Sequence, residues 1–356
     1  MTLIIAEAGV NHNGSEELAF KLVDEAFEAG ADIVKFQTFK AKNLVTDDAK
    51  QADYQISNTG KTESQYSMLK RLELSFEFHH KLIEYCNSKG IEFLSTAFDS
   101  ESLSFLVDEL GLKRLKIPSG EITNAPLVLD HARTGCELIV STGMATMSEI
   151  EKALSLIAFG YLNKSDNPTD EMLENAYFSE LGKKLLKERV TILHCTSEYP
   201  APYEDINLNA MTTIKNGFKL PVGYSDHSEG ITVPIAAVAK GAVLIEKHFT
   251  CDKNLPGPDH KASLDPEELT SMISAIRIVE KIMGDGIKGP RPSELKNRSV
   301  VRKSLVAATD IVKGELITSS SLCVKRPGDG VSPYNYWKLI NTFASKDYKA
   351  GSLIDE

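Results

Sequence analysis

In this chain of 356 residues, the side chains able to do chemistry stand where short apolar segments end. His227 follows Val222-Gly223-Tyr224, and His248 follows Val243-Leu244-Ile245. Neutral imidazole is the commonest side-chain metal ligand, and two imidazoles with little carboxylate leave coordination positions open for water and substrate. Glu246 lies two residues before His248, so strand alternation puts both on one face. The same spacing also suits hydrogen-bonded wall histidines without a metal, and it leaves Mn²⁺, Mg²⁺, Fe²⁺, Co²⁺ and Zn²⁺ open. Lys35 and Lys116 also follow apolar residues. A buried, unpaired ammonium is costly, so each suits a strand end facing an anion. Ser119, Ser141 and Ser225 stand nearby in the pattern, and Gly120 and Gly143 allow close backbone approach, as a phosphate or carboxylate site requires. One Ser-Gly turn would be an ordinary capped connection; several beside two lysines favour the anion. Glu7, Gln37, Glu121, Tyr199 and Asp259 form a third group suited to a polyhydroxylated substrate, with Glu121 able to move protons beside a phosphate. For Tyr199 and Asp259, spacing alone fits solvated loops as well.

The elements that must position these residues follow from the apolar segments. About eight of them, short and β-branched, recur along residues 1–250. Leu3-Ile4-Ile5-Ala6 runs into Glu7, Phe93-Leu94 into Ser95-Thr96, Leu138-Ile139-Val140 into Ser141, and Thr191-Ile192-Leu193 into His194. Helical stretches separate them, which predicts a parallel sheet. Eight such units predict a TIM (β/α)₈ barrel of the α/β class, with its active site at the C-terminal ends of the strands. The connection at 39–74 is long and polar and is expected to form a lid or wall; 160–188 reads as a polar insertion with helices of its own. His79-His80, His131 and the Lys183–Arg189 run read as solvent-facing helix positions.

The barrel is expected over 1–285, followed by a Gly/Pro-rich linker at 286–299 and a small β-rich module at 300–356, too small to be stable without packing on something. With 42% hydrophobic and 25% charged residues the composition is that of a globular protein. A formal net charge of −10 argues against broad binding to nucleic acid or anionic membranes, though not against a local basic pocket. The chain begins almost at once on an apolar strand with no signal-peptide pattern, and no apolar run approaches the ~20 residues of a membrane span. Five scattered cysteines read as reduced thiols of a cytoplasmic enzyme, Cys195 as a small apolar filler.

Several stretches together carry a family resemblance. They are Ile5-Ala6-Glu7-Ala8-Gly9-Val10-Asn11-His12-Asn13-Gly14, Val34-Lys35-Phe36-Gln37-Thr38, Lys116-Ile117-Pro118-Ser119-Gly120-Glu121, Ser141-Thr142-Gly143-Met144, His194-Cys195-Thr196-Ser197-Glu198-Tyr199-Pro200, Tyr224-Ser225-Asp226-His227, Glu246-Lys247-His248-Phe249-Thr250 and Gly257-Pro258-Asp259-His260. Over essentially its whole length the chain resembles the sialic acid (N-acetylneuraminate) synthases and their relatives that make legionaminic and pseudaminic acids. The resemblance implies a TIM barrel followed by an antifreeze-like (SAF) domain. It implies His227 and His248 as metal ligands, usually for Mn²⁺, with Mg²⁺ or Co²⁺ as alternatives. It implies Lys35, Lys116, Ser119, Ser141, Ser197 and Ser225 as phosphoenolpyruvate contacts, Ser197 standing where some members have Asn. Glu7, Gln37, Tyr199 and Asp259 match sugar contacts, and Arg326 matches an arginine supplied by the partner in a domain-swapped homodimer.

The reaction implied is condensation of phosphoenolpyruvate with an N-acetylated amino sugar and water, releasing phosphate. The metal acts as Lewis acid on the open-chain aldehyde. Glu121, with Glu7, is the expected proton carrier, and the lysines offset the anionic charge. The first reading is an N-acetylneuraminate synthase acting on N-acetylmannosamine. The alternative is an N,N'-diacetyllegionaminate synthase acting on a 6-deoxy diacetamido sugar. A pyruvate-dependent Schiff-base aldolase using Lys35 or Lys116, and a non-catalytic sugar-binding protein, are the readings of other classes.

Overall fold

The computed structural model describes residues 1–60 and 62–355; Lys61, in the long connection, and Glu356 lie outside the described residues. Strands β1 (Leu3–Gly9), β2 (Ile33–Thr38), β3 (Glu92–Ala97), β4 (Arg114–Ile117), β5 (Glu137–Ser141), β6 (Val190–His194), β7 (Val222–Asp226) and β8 (Leu244–His248) pair in sequence order as one closed barrel. All neighbours are parallel, and β8 returns to β1 with Leu3 opposite Leu244 and Glu7 opposite His248. The (β/α)₈ barrel expected from the alternation is what forms.

Strand alternation explains the barrel interior. Ile5, Ile33, Leu94, Ile139, Leu193 and Leu244 make an apolar plug inside it. Two residues further along each strand, on the same face, stand Glu7, Lys35, Thr96, Ser141, Cys195 and Glu246. The inward surface therefore changes from hydrocarbon to polar groups within one step toward the C-terminal mouth. The outward positions, such as Ile4, Ala6, Val34, Phe36 and Val140, join the surrounding helices in a separate and larger core.

The helices are specified locally. Ser15 caps Glu16–Glu28, accepting from the Leu18 amide, and Thr146 with Glu149 makes a capping box at Met147–Leu162. Asp265 with Glu268 does the same for Pro266–Met283, with proline at the first helical position. Among its described residues, the long connection contains the short helices Ala41–Leu44, Asp53–Thr59 and Gln65–Leu72. The polar insertion holds Asp170–Phe178 and Glu180–Arg189.

Two histidines expected at helix surfaces are buried instead. His79 belongs to the inner face of Phe76–Lys89 with Leu82 and Cys86; its Nε2 meets Thr38 Oγ1 at 2.9 Å and its Nδ1 meets the Ser75 carbonyl at 2.8 Å. His131 lies inward with Leu127 and Val128, its Nδ1 on the Leu127 carbonyl at 2.8 Å. Both are satisfied by a backbone carbonyl one turn earlier, so burial does not leave that nitrogen unpaired. His80 is exposed.

The chain divides into two compact units, Met1–Gly284 and Asp285–Glu356. The segment expected to be an irregular linker carries a helix, Pro292–Val301, with proline at its start. The second unit pairs β9 (Ser304–Ala307) with β10 (Leu322–Lys325) antiparallel. Its own core gathers Leu305, Ile311, Ile317, Leu322, Tyr348 and Ile354. The apolar cluster at 315–317 makes only an isolated bridge, Leu316 to Phe343. Among the described residues no helix is long and apolar enough to cross a membrane.

Gly223 shows how tightly the interior is filled. A Cβ there would sit 2.4 Å from the Leu244 carbonyl oxygen and 2.6 Å from Leu193 Cδ2. Gly223→Ala should cost about 1–3 kcal/mol through overpacking, read as a lower urea midpoint with unchanged slope. Gly120→Ala, where a Cβ meets nothing within 4 Å, should stay within about 0.5 kcal/mol of the parent.

Candidate active site

The polar ring above the plug is an ion-pair network. Lys116 Nζ donates to both carboxylate oxygens of Glu246, at 2.6 and 2.7 Å. Ser225 Oγ donates to Glu246 Oε1 at 2.9 Å, and Lys35 Nζ lies 3.6 Å from Oε2. Lys35 Nζ also stands 2.8 Å from Glu7 Oε2 and donates to Thr96 Oγ1 at 3.1 Å. Gln37 Nε2 donates to Glu7 Oε1 at 3.3 Å. The two lysines and two carboxylates are all buried.

Burial and pairing act against each other in this network. Burial opposes the charge on Glu246, but Lys116 and Lys35 outweigh it and hold the carboxyl well below its usual range. Burial opposes the charge on Lys35 too, and Glu246 and Glu7 overcome it, raising that pKa. For Glu7 burial wins over Lys35 and raises the pKa; for Lys116 burial wins over Glu246 and lowers it. The shortest contact in the network is that of Lys116 with both oxygens of Glu246, and Lys35 is shared between Glu7 and Glu246.

A cavity of about 350 Å³ opens over the network, within the ~300–1,000 Å³ range of small-molecule sites. Glu7, Lys35, Gln37, Lys116, Ser119, Ser141, Ser197, Tyr199, Ser225, His227, His248 and Asp259 all line it. Ser119 Oγ accepts from the Gly143 amide at 3.0 Å and meets Cys195 Sγ at 3.1 Å. Gly143 is needed there, since its Cβ would lie 2.1 Å from Ser197 Oγ. Ser141 Oγ is buried with no hydrogen-bond partner, the state expected of a group that waits for a ligand.

His227 and His248 face each other with ring centroids 5.7 Å apart, and the Tyr199 ring lies beside both. His227 Nδ1 donates to the Thr196 carbonyl at 2.5 Å, which leaves Nε2 as the acceptor, met by Tyr199 OH at 3.1 Å. His248 Nδ1 is buried without a hydrogen-bond partner. Burial lowers the His227 pKa to about 4, and burial with His227 nearby takes His248 well below the usual value. Both rings are neutral at pH 7, the form that ligates metals. Among the described residues no group of three or more His, Cys, Asp or Glu is arranged to hold an ion. Two imidazoles with one buried orphan nitrogen fit a cation whose shell is completed by water or substrate oxygens.

The bases of these histidines are braced. Lys247 Nζ donates to Asp226 Oδ2 at 2.6 Å and also to the Ser228 carbonyl. Both side chains are fully buried on the outward face. This pair ties the end of β7 to the end of β8, one residue before each imidazole. In front, Asn11 Nδ2 donates to the Phe249 carbonyl at 2.7 Å and to Ser263 Oγ at 2.9 Å, fixing the loop after β1 to the loop after β8.

Two expected residues stand apart from this arrangement. Glu121 falls in a single turn of 3₁₀ helix, Ser119–Glu121, and does not line the cavity. Its carboxylate accepts from Asn124 Nδ2 at 2.6 Å at the start of the next helix. The 3₁₀ turn has no strand alternation to carry the inward facing of Lys116 forward to Glu121. Arg326 belongs to the second unit, where its Nε donates to the Val301 carbonyl at 3.0 Å.

Thr96 and the hub role of Glu246 went unassigned in the sequence, although counting by twos from Leu94 and Leu244 leads to both. The cavity also takes in Val10, Phe98 and Met144 from connections just past strand ends, and Gln55, Met68, Leu69 and Leu72 from the short helices after β2.

A closed barrel with paired ammoniums, hydroxyls and neutral imidazoles around its mouth defines a barrel enzyme for small anionic substrates. Residues 22–288 match the NeuB family model and residues 302–356 the SAF domain model. The chain is 50% identical over 355 residues to the N,N'-diacetyllegionaminic acid synthase of Campylobacter jejuni, covering 100% of this chain and 99% of that one. It is 47% identical to the synthase of the same name from Legionella pneumophila, covering 99% and 92%. The crystal structure of a sialic acid synthetase from Leptospira borgpetersenii, in complex with citrate, superposes with a TM-score of 0.67 at 35% identity, covering 83% of this chain and 90% of that one. The chain belongs to the NeuB family, and it is an enzyme of the sialic acid synthase type.

Asp259 gives this site a pH signature. Burial, with Glu7 adding to it, raises its pKa from 3.8 to about 7. Between these values the folded protein holds a proton that the unfolded chain has released, so stability falls as pH rises through that window and levels off above it. Asp259→Asn should remove this slope. Urea midpoints at pH 5 and 7.5 should show the variant gaining on the parent at the higher pH; a pH-independent gap would refute the shift.

Proposed function

We propose that this enzyme is an N,N'-diacetyllegionaminate synthase, joining phosphoenolpyruvate to a 6-deoxy diacetamido sugar with uptake of water and release of phosphate. The observation that carries the choice of sugar is 50% identity along the full length to a synthase of that name. This reverses the order expected from the sequence, which put N-acetylmannosamine first.

The chemistry of the cavity agrees with such a reaction. Lys35 and Lys116, with Ser119, Ser141, Ser197 and Ser225, hold the phosphate and carboxylate of phosphoenolpyruvate. The lysines lie just above the plug, out of water, so their charge acts at close to full strength on the anion. Gln37 and Tyr199 orient the sugar hydroxyls. The methylene carbon of phosphoenolpyruvate forms a bond to the aldehyde carbon, and the aldehyde oxygen takes up a proton. Asp259, half protonated near pH 7, supplies it. Water adds at the former enol carbon, and Glu7 accepts its proton. The C–O bond to phosphate then breaks as the hydroxyl on the same carbon becomes a ketone, its proton leaving with the phosphate. This moves proton handling from Glu121 to Asp259 and Glu7. A divalent cation on His227 and His248, Mn²⁺ first with Mg²⁺ or Co²⁺ as alternatives, supplies Lewis-acid polarisation of the aldehyde when bound. A domain-swapped homodimer, in which Arg326 of one protomer reaches the sugar of its partner, belongs to the same proposal and rests on the family resemblance alone.

Phosphate release from phosphoenolpyruvate with Mn²⁺ tests the proposal, comparing the 6-deoxy diacetamido sugar with N-acetylmannosamine. The expected result is faster release with the former, abolished by a chelator and restored by added metal. His248→Ala should lose at least ~10²-fold in kcat with an unchanged far-UV spectrum. Release with neither sugar overturns the synthase reading, and activity that survives chelation overturns the metal.

A further inference from the structure

The cavity has a second character that its charged floor does not explain. Val10 follows β1, Phe98 follows β3, and Met68, Leu69 and Leu72 come from the helix that hangs over β2. These five line the cavity from the connections after β1, β2 and β3, and none carries an oxygen or nitrogen in its side chain; Gln37 and Gln55 reach the cavity from the same sector, so the apolar face is the patch these five form between them. The rim over β6–β8 is polar, with Ser197, Tyr199, His227, His248 and Asp259.

The apolar side is a built surface. Val10, Met68 and Leu72 pack with Phe39 in a small core of their own, joined by Leu44, Leu69 and Phe98. The Phe39 and Phe98 rings meet edge to face at 6.1 Å. Ser64 caps the helix, accepting from the Ser67 amide. Arg71 holds Glu63 through two nitrogens, at 2.5 and 2.8 Å. Glu73 accepts from the Ala41 amide at 2.7 Å. Asn58 Nδ2 donates to the Pro258 carbonyl at 2.7 Å, fastening this lip to the loop after β8. The wall is therefore in place before any ligand arrives.

We propose that this wall is the specificity surface of the sugar site and receives a methyl group borne by the sugar at a position remote from its aldehyde. The inference rests on the synthase reading above. The reacting aldehyde must lie by the imidazoles and the lysines, over β7, β8 and the floor. An open-chain sugar anchored there extends across the mouth, and its far substituents meet the side over β1–β3. A methyl group keeps the wall dry. A hydroxyl at the same place loses its water and finds no acceptor or donor among Val10, Met68, Leu69, Leu72 and Phe98. An apolar pocket of this kind discriminates against an added hydroxyl by about 10–10²-fold.

Two groups supply that chemistry: the methyl of a deoxygenated terminal carbon and the methyl of a second acetamido group. Leu69 is the residue to change, since it is half-buried and reaches the cavity from the helix surface. The measurement is kcat/KM for phosphate release with four sugars: N-acetylmannosamine, its 6-deoxy analogue, the 6-deoxy diacetamido sugar and the 6-hydroxy form of that sugar. The parent enzyme should prefer methyl to hydroxyl by about 10–10²-fold. Leu69→Ser should cut that preference about tenfold, while Leu69→Met should retain it. A change confined to the deoxy/hydroxy pairs assigns the wall to the terminal methyl. A change confined to the acetamido pairs assigns it to the acetamido methyl. Either supports the inference. Preferences that are unchanged in Leu69→Ser, with turnover intact, overturn the wall and leave the synthase reading standing. Absence of phosphate release from the parent with every sugar overturns both.

Discussion

Glu246 is a buried carboxylate held between two ammoniums, with hydrocarbon beneath it and the cavity above. None of these charges could be buried singly, because an unpaired ion in such a place costs several kcal/mol. Lys116 and Lys35 are tolerable here because Glu246 and Glu7 answer them, and Glu246 is tolerable because Lys116 grips both its oxygens. In the reading proposed above, these carboxylates occupy the ammonium contacts that an anionic substrate would take. When an anion enters, it competes with these carboxylates for the same ammonium protons. The split between Glu246, held firmly ionised, and Glu7, pushed toward its protonated form, decides which of the two yields more easily. Burial pushes Glu7 toward its neutral form, and in the reading proposed above that is the group that would release a lysine as the anion binds.

The rest of the barrel mouth serves to keep that network and the two imidazoles in register. The β-strand repeat of two places each functional side chain one step above a plug residue, so the plug's packing fixes the height of the ring. Gly223 and Leu193 lie against each other at this level, and Ser225 and His227 follow Gly223 on the same face. The outward Asp226–Lys247 pair holds β7 against β8 at the level where the imidazoles emerge. The Thr196 carbonyl then sets the tautomer of His227. These contacts come from different strands and from both faces of the sheet, so the positions of His227 and His248 are over-determined.

The parts of this site that were legible in the sequence are those governed by strand alternation. Glu7, Lys35, Lys116, Ser141, Ser225, His227 and His248 could each be placed at the mouth because each ends an apolar run at the right parity. Glu121 was misplaced because parity stops at the end of β4, and a 3₁₀ turn sends its carboxylate to Asn124. His79 and His131 were misjudged because a histidine on a mixed helix face looks polar until the carbonyl that satisfies it is seen. The helix Pro292–Val301 was hidden by the glycines and prolines just before it, which mark its start as well as a break. The wall of Val10, Met68, Leu69, Leu72 and Phe98 had no signature at all. It is assembled from a short helix after β2 and the ends of the connections after β1 and β3, and only the closed barrel brings them together.

That division bears on how specificity is distributed. In the proposed reading the floor of paired charges would bind phosphate and carboxylate, which every phosphoenolpyruvate-using relative would share, so it could not select among sugars. In the same reading the neutral imidazoles would meet the aldehyde end, which such sugars also share. Selection has to act on substituents further along the chain, and those lie at the rim. On the β6–β8 side the rim offers hydrogen bonds, which reward hydroxyls wherever they are presented correctly. On the β1–β3 side it offers, beside the amides of Gln37 and Gln55, a hydrocarbon face of Val10, Met68, Leu69, Leu72 and Phe98, which would gain from a methyl and penalise a hydroxyl set against it. A rim of two opposed characters reads the pattern of polar and apolar substituents along the sugar, with the anion site left unchanged. Changes of substrate among related enzymes would then be cheapest in the connection after β2, where substitutions leave the ion network and the plug untouched.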